Sequence, residues 1–151
     1  MGRKKKKASR IKISVDVVSL QEEGHHLFVE CSWSGNPLRM LIDTGASVTV
    51  LDKQVVTRIS PDAELQPGDR LATSASSSDV KNEFTVLKDF RIGDFRLKEM
   101  LVAVMDLHHV NSTYASLSLP GIHGVIGCNF LVQHDATLNL KKKLLRLSKA
   151  K

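Results

Sequence analysis

Apolar and polar residues alternate along several short stretches of the chain, and this period of two is typical of half-buried β-strands. Residues 11–18 show the alternation first, with Ile11, Ile13, Val15 and Val17 separated by polar residues. The remaining stretches are bounded by Gly, Pro, Asn, Asp or Ser, which are residues that favour turns. Further strands are therefore predicted at residues 27–33, 38–42, 48–51, 84–90, 91–97, 100–105, 136–140 and 144–147.

Two segments predict short helices. Asp52 stands at the N-cap position of a helical turn over residues 53–58, and residues 127–134 predict a second short helix. Gly93-Asp94 predicts a hairpin turn inside the 91–97 segment, and residues 107–121 are predicted to form a long loop. The sum is an all-β chain with one or two short helices, and such chains close on themselves as barrels or sandwiches.

One charged residue interrupts the strand pattern. Leu41-Ile42 lead directly to Asp43, which is followed by Thr44-Gly45 and then by a second apolar strand. Gly45 permits a tight turn at little steric cost. A carboxylate among so many apolar neighbours is costly unless it is paired or has a function. On the tripeptide alone, however, an Asp before Thr-Gly is the ordinary capping residue of a turn, so the tripeptide does not decide between these roles.

The longer segment Asp43-Thr44-Gly45-Ala46 resembles the active-site signature of aspartic proteases, and its surroundings resemble the single-domain, retroviral-type branch of that family. A second block at residues 124–131, Gly-Val-Ile-Gly-Cys-Asn-Phe-Leu, resembles the segment that leads into a short helix beneath the active-site loop in this family. The resemblance covers residues 27–147. It implies a retropepsin-like acid protease fold, with a closed, barrel-like β-sheet and a flap hairpin that closes over bound peptide.

The resemblance also implies which residues form the site. Asp43 would activate water, Thr44 would hydrogen-bond to the same loop of a partner chain, and Gly45 would place a backbone acceptor for substrate. By position, residues 71–84 resemble the flap, although the composition of this segment fits an ordinary exposed loop equally well. The residues expected to contact substrate are Ala46, Ser47, Ala75, Ser76, Ser77, Ser78, Ile126 and Gly127.

Peptide hydrolysis by this chemistry needs two carboxylates, which share one proton because like charges so close together cannot both ionise. The chain has one Asp-x-Gly of the required kind, since Asp94 and Asp135 lack the pattern. A homodimer is therefore expected, with Asp43 of each chain meeting across a two-fold axis. Many retroviral enzymes carry an Asp at the position of Ser47 and an Arg at that of Cys128. Both are missing here, which leaves no unpaired charge and suggests a cellular or bacterial relative.

Other functions stay open. The same fold without activity would be a dimeric module that binds extended peptides. The six His residues include adjacent pairs, but neighbours in a strand point to opposite faces and no Cys/His cluster has zinc spacing. No metal and no cofactor are therefore expected. Cys128 beside a His would be a candidate thiol nucleophile, but the family places a structural residue there.

Positive charge is concentrated at the two ends of the chain. Residues 1–10 and 141–151 each carry six Lys and Arg residues, and all 16 acidic residues lie between them. The net charge of +6 therefore belongs to the ends rather than to the body. The tail 1–10 predicts weak contact with nucleic acid or an anionic surface, with a merely solubilising tail as the alternative. The protease domain is predicted over residues 11–148, followed by a short tail at 149–151.

Apolar runs are short throughout the chain. None approaches the ~18 residues of a membrane span, and no apolar stretch follows the basic start as it would in a secretory signal. The two Cys residues have no disulfide-framework spacing, which favours a reducing compartment. We expect a cytoplasmic protein that is not an integral membrane protein.

Overall fold

The computed structural model describes residues 10–20, 22, 24–68 and 83–148. Outside the described residues lie all of the predicted tail 1–10 except Arg10, the predicted tail 149–151, and residues 71–82 of the predicted flap with its tip at 75–78. The helices are α1 (Lys53–Ile59), α2 (His108–Ser116) and α3 (Cys128–Gln133). The strands are β1 (Arg10–Ser14), β2 (Asp16–Leu20), β3 (Gly24–Trp33), β4 (Asn36–Ile42), β5 (Val50–Asp52), β6 (Gln66–Pro67), β7 (Glu83–Ile92), β8 (Phe95–Met105), β9 (Gly124–Ile126), β10 (Thr137–Asn139) and β11 (Leu144–Ser148).

Six of these strands close into a barrel. They pair in the order β3, β4, β9, β5, β8 and β7, and β7 pairs back onto β3 through Cys31 opposite Ile92. The strands β2 and β6 extend the sheet beside β3 and β7. The pairing of Gln66 with Phe84 brings together the two ends of the segment that contains the predicted flap. The predicted all-β class and closed sheet are confirmed.

Period-two burial explains why the strands form this barrel. Along β4, Leu38, Met40 and Ile42 are buried while the residues between them are less so. In β3, Val29, Cys31 and Trp33 are likewise buried at every second position. The buried residues of β3 and β4 pack with those of β7 and β8 in one apolar core. The strands predicted at residues 27–33, 38–42, 84–90 and 100–105 lie wholly within β3, β4, β7 and β8.

The first predicted strand is wrong in one respect, because residues 11–18 form two strands in different sheets. β1 pairs with β11 in a three-stranded sheet that also contains β10, whereas β2 pairs with β3. The chain changes sheets at Val15, whose side chain is buried and whose N–H donates to the Lys143 oxygen at 2.9 Å. The alternation of apolar and polar side chains continues across this change of sheet. Because a period of two shows which face is buried but not which strand is the partner, the sequence pattern did not reveal the change.

The prediction of one or two helices is also wrong, because three helices form within the described ranges. The predicted loop 107–121 contains α2, where Tyr114 is the one buried residue, so the segment shows no strong amphipathic stripe. Asp52 does stand at the N-cap of α1, but its side chain makes no cap hydrogen bond. Its Oδ1 instead accepts from the Leu107 N–H at 3.3 Å. None of the three helices is long and apolar enough to cross a membrane.

Candidate active site

Asp43 lies at the end of β4, where the barrel delivers it to a short loop. Strand β4 runs parallel to β9, with Ile42 opposite Ile126. Directly after this pair, the Asp43 N–H donates to the Ile126 oxygen at 3.1 Å. Since Ile42 and Ile126 are both buried, the backbone that carries the carboxylate is anchored in the barrel core. The two sequence blocks of the predicted site are therefore adjacent in the structure.

Gly45 orients the Asp43 carboxylate. The Gly45 N–H donates to Asp43 Oδ1 at 2.8 Å, and the Ala46 N–H donates to the Asp43 backbone oxygen at 3.1 Å. A Cβ on residue 45 would lie 3.1 Å from the same Oδ1, which is too close to leave the carboxylate where it is. The loop thus holds the half-buried carboxylate in one orientation at the barrel edge.

Helix α3 supports the loop from below. The first N–H groups of a helix have no partner within the helix, and here two of them bind loop carbonyls. Cys128 N–H donates to the Ala46 oxygen at 2.7 Å, and Asn129 N–H donates to the Ser47 oxygen at 3.2 Å. The Cys128 thiol adds a contact of 2.8 Å to the Thr44 oxygen. The carbonyl oxygens of Thr44, Ala46 and Ser47 are therefore bonded to α3, while Thr44, Gly45 and Ser47 stay exposed on the outer side of the loop.

The buried Thr49 and the exposed Asn129 form a polar link that the candidate site residues did not include. Asn129 Oδ1 accepts from both the N–H and the hydroxyl of Thr49, each at 2.9 Å, and Thr49 Oγ1 accepts from the Gly127 N–H at 3.1 Å. Thr49 is fully buried. Thr49 lies in the predicted apolar strand 48–51, and a buried polar side chain needs a hydrogen-bond partner. That need was the signal by which the sequence could have pointed to Thr49.

Gly127 lies where the start of α3 comes very close to the backbone of the segment that leaves the loop. A Cβ at this position would lie 2.4 Å from the Val48 oxygen, so only glycine fits between α3 and the segment that leaves the loop. Ile126 and Gly127, predicted to contact substrate, are buried beneath the loop and position it from within the chain. Thr44, Gly45 and Ser47 are exposed, and Ala46 is half-buried.

A second set of side chains lies beside the loop. Tyr114 on α2 is 3% exposed, and its hydroxyl is hydrogen-bonded to His26 Nδ1 at 2.7 Å. Its ring meets Phe28 edge-on at 5.7 Å, and the Arg39 guanidinium lies 4.0 Å from the centre of the Phe28 ring. Burial raises the pKa of Tyr114, and the charge of Asp43 raises it further against the lowering effect of Arg39. Leu41 and Val48, which lie on either side of the Asp43 loop, pack against the same apolar cluster as Tyr114 and Phe28.

The other carboxylates considered in the sequence lie elsewhere. Asp94 occupies the β7–β8 turn, Asp135 follows α3, and Asp52 is buried with its carboxylate bonded to Leu107. Among the described residues, Asp43 has no carboxylate as a hydrogen-bond partner, and no three His, Cys, Asp or Glu residues are grouped to hold a metal ion. One chain thus offers one carboxylate at this loop.

Comparison with known proteins agrees with this geometry. The family model described as aspartyl protease matches residues 29–130, which is more than half of the chain and includes the first sequence block and all but the last residue of the second. A search of curated protein sequences gives no match.

Three solved structures share the fold. A retropepsin-like aspartic protease from Rickettsia conorii has a TM-score of 0.54 and 18% identity, covering 97% of this chain and 96% of that one. The retroviral protease-like domain of Ddi1 from Leishmania major has a TM-score of 0.55 and 14% identity, with 82% and 89% covered. EIAV protease in complex with the inhibitor HBY-793 has a TM-score of 0.50 and 20% identity, with 82% and 100% covered. At sequence identities of 14–20%, these matches show a shared fold and nothing beyond it.

Proposed function

Since the chain belongs to the aspartyl protease family, we propose that it is an endopeptidase in which two Asp43 carboxylates, one from each chain of a homodimer, activate water to hydrolyse a peptide bond. The observation that carries this proposal is the placement of Asp43. Its carboxylate ends a barrel strand, is oriented by the Gly45 N–H, and belongs to a loop fixed from below by α3.

The chemistry requires the second carboxylate. One ionised carboxylate takes a proton from water while the other, protonated, donates a hydrogen bond to the scissile carbonyl and increases its electrophilicity. The two titrate as a pair, and no covalent intermediate is needed. Because one chain brings one such carboxylate to the loop, the active unit is a symmetric dimer in which each loop faces its own copy.

The exposed loop surface supports this assembly. Thr44 and Ser47 are exposed, whereas the loop carbonyls bonded to Cys128 and Asn129 face α3. The Thr44 hydroxyl would bond to the partner loop, and the Gly45 backbone would accept a hydrogen bond from substrate. The substrate would bind as an extended strand beneath the flap at residues 71–84, whose tip is proposed at residues 75–78. No metal or cofactor is required.

A second function shares most of these features. A dimer with the same groove but an inactive dyad would bind extended peptides without cutting them. The intact Asp43-Gly45 hydrogen bond favours catalysis over this alternative, because it orients a carboxylate that peptide binding alone does not need. Weak binding of nucleic acid or an anionic surface by the basic tails is a separate, accessory prediction.

The test is cleavage of a mixed peptide library from acidic to neutral pH by the wild type and by Asp43→Asn. Asp94→Asn is the matched control, because it removes a carboxylate from an exposed turn of the same chain. We expect cleavage by the wild type and the control and none by Asp43→Asn, with sedimentation showing a dimer under the same conditions. A dimeric wild type that binds library peptides without cutting them would favour the inactive module.

A further inference from the structure

A cavity with a volume of about 710 Å³ lies between helix α1, helix α2 and the segment 120–123 that leads into β9. Small-molecule sites in proteins usually measure about 300–1,000 Å³, so this cavity is large enough for a ligand. Asp52, Gln54 and Arg58 line it from the side of α1, and His123 lines it from the segment before β9. The wall therefore includes a carboxylate, an amide, a guanidinium and an imidazole.

The cavity lies at the start of β9, whereas the Asp43 loop lies beside the end of that strand. The His123 N–H donates to the Arg39 oxygen at 2.8 Å, and the Asp52 N–H donates to the His123 oxygen at 2.9 Å. The cavity wall is therefore level with Arg39, in the middle of β4. Asp43 follows Arg39 by four extended residues, which corresponds to about 13 Å at ~3.3 Å per residue. This separation distinguishes the cavity from the catalytic loop.

Hydrogen bonds within the chain hold the walls of the cavity in place. Asn111 on α2 donates from Nδ2 to the Ile122 oxygen at 3.0 Å, and its Oδ1 accepts from the Ile122 N–H at 2.7 Å. Ile122 is 1% exposed, so this pair of bonds attaches α2 firmly to the segment before β9. Because these walls are already ordered, a ligand binds without the free-energy cost of ordering them.

Two opposite charges on the α1 side of the cavity are available to a ligand. Asp52 is 6% exposed, and its Oδ1 accepts from the Leu107 N–H at 3.3 Å, while its Oδ2 has no hydrogen-bond partner among the described residues. Arg58 is exposed and forms no salt bridge within the same part of the chain. Since a buried charge needs a partner, a ligand with both a cationic and an anionic group would suit this pair of residues.

His123 adds a hydrogen-bond donor to the wall. Its Nδ1 accepts from the Arg39 N–H at 2.8 Å, so in the neutral ring the proton is on Nε2. Burial, followed by the charge of Arg58, lowers the pKa of His123 against the raising effects of Asp52 and Glu30. The ring is therefore neutral at pH 7, and its Nε2–H can donate to an anionic group that also binds Arg58.

We propose that this cavity binds a short free peptide of two or three residues, with its amino group at Asp52 and its carboxylate at Arg58 and His123. Asp52 and Arg58 are six residues apart along α1, which corresponds to about 9 Å at ~1.5 Å per residue. An extended peptide spans at most ~3.6 Å per residue, so two or three residues match this separation. The site is additional to the proposed cleavage site and does not require Asp43 to be active.

Titration of the ¹⁵N-labelled protein with Ala-Ala and Ala-Ala-Ala tests the site. We expect saturable amide shifts at residues 52–58 and 121–123, with the same Kd in the wild type and in Asp43→Asn. Acetylation of the peptide amino group should weaken binding by at least about tenfold, because a hydrogen bond to a buried charge is lost. Amidation of the carboxylate should weaken binding less, by about fivefold, because Arg58 is exposed to solvent.

Asp52→Asn tests the contact with the peptide amino group. It removes the charge but keeps an acceptor for the Leu107 N–H, and it should reduce the affinity for free peptides as much as acetylation does. Asp94→Asn is the matched control and should keep the wild-type Kd, because Asp94 lies in an exposed turn outside the cavity. If Asp52→Asn does not fold, the blocked peptides decide the question on the wild type alone.

Three outcomes would overturn the proposal. They are equal affinities for free and acetylated peptides, amide shifts confined to residues 43–47, and the lack of a saturable shift with either peptide. None of these outcomes depends on whether Asp43 cleaves peptides, so failure of this site is distinguishable from failure of the protease proposal.

Discussion

The Cys128 thiol donates a hydrogen bond to the backbone oxygen of Thr44 at 2.8 Å, and so connects helix α3 to the loop that carries Asp43. The Cys128 N–H makes a second connection, to the Ala46 oxygen at 2.7 Å. The thiol is therefore engaged in a structural contact at the base of the loop, although Cys128 itself is half-buried. At position 128, where many retroviral enzymes carry an Arg, this chain therefore makes a neutral contact with Thr44.

Replacing Cys128 with Ala should destabilise the protein slightly without abolishing cleavage. The variant loses one hydrogen bond with a weak sulfur donor, so the free energy of unfolding should fall by about 0.5–1 kcal/mol. Cys128→Ser keeps a donor and should recover most of this loss. The measurement is urea unfolding at fixed protein concentration, together with the peptide assay. Complete loss of cleavage in both correctly folded variants would instead identify Cys128 as a thiol nucleophile.

Replacing Thr49 with Val should cost more, because it removes a buried hydroxyl without changing the side-chain shape. The Gly127 N–H then loses its acceptor and Asn129 Oδ1 loses one of two donors. An unsatisfied buried group costs about 1–3 kcal/mol of unfolding free energy. The control is Thr57→Val, since the exposed Thr57 hydroxyl bonds only to the Lys53 oxygen within α1. Equal unfolding free energies for the two variants would contradict the structural role of the Thr49–Asn129 link.

Local sequence information was sufficient for most of the barrel and for the loop. The strands β3 and β4 have a buried period of two and a turn at Ser34-Gly35, and these signals act between residues close in sequence. The pairing of Asp43 with Ile126 spans a long stretch of chain, but each partner lies in a motif with its own residue pattern. The resemblance of those two motifs to one family supplied the long-range contact that propensities could not.

Features that depend on tertiary contact alone were missed. Helix α2 buries one residue, Tyr114, and that residue is held by His26, which lies 88 positions earlier in the chain. The change of sheet at Val15 depends on Lys143, near the other end of the chain. Neither partner changes the local pattern of apolar and polar residues. The same reason explains why Thr49 and Asn129 were absent from the predicted site.

The stability of the protein should fall as the pH is lowered through the ordinary pKa of histidine. His134 is 2% exposed and lies between the rings of Phe95 and Phe130, at 4.9 and 4.6 Å. Burial lowers its pKa, against the raising effects of a backbone hydrogen bond with Ser148 and of Asp135, and burial also lowers the pKa of His123. The unfolded chain therefore binds protons more readily than the folded protein. The contribution of these histidines to the free energy of unfolding is fully present above pH ~6.5 and decreases as the pH falls below that value.

His134→Phe separates this effect from acid denaturation in general. Phe cannot take a proton, so the free energy of unfolding of the variant should depend less on pH in the window below pH ~6.5, while His123 maintains the rest of the slope. The exposed His109 provides the control variant, His109→Phe. Urea midpoints measured across this window give the slopes. A His134→Phe slope equal to that of both the wild type and the control would show that His134 does not carry the pH dependence.

Two glycines beside the site should respond differently to alanine. At Gly127, a Cβ would lie 2.4 Å from the Val48 oxygen and 2.5 Å from the Val48 carbonyl carbon. Both atoms belong to the backbone, so the segment that leaves the loop must move and the Thr49–Gly127 hydrogen bond is disturbed. We expect Gly127→Ala to lower the unfolding free energy by several times the cost of an exposed substitution, which is usually within about 0.5 kcal/mol.

At Gly45, by contrast, the new Cβ would lie 3.1 Å from Asp43 Oδ1, which belongs to a side chain that can rotate away. The fold should tolerate this change, but the carboxylate would lose the orientation set by the Gly45 N–H. Misplacing a reacting group by about 1 Å can cost roughly a hundredfold in rate, so kcat/KM should fall by about tenfold to a hundredfold in Gly45→Ala. Thermal unfolding and the peptide assay on both variants separate the two effects. Wild-type cleavage by Gly45→Ala would mean that the Gly45–Asp43 hydrogen bond does not position the catalytic carboxylate.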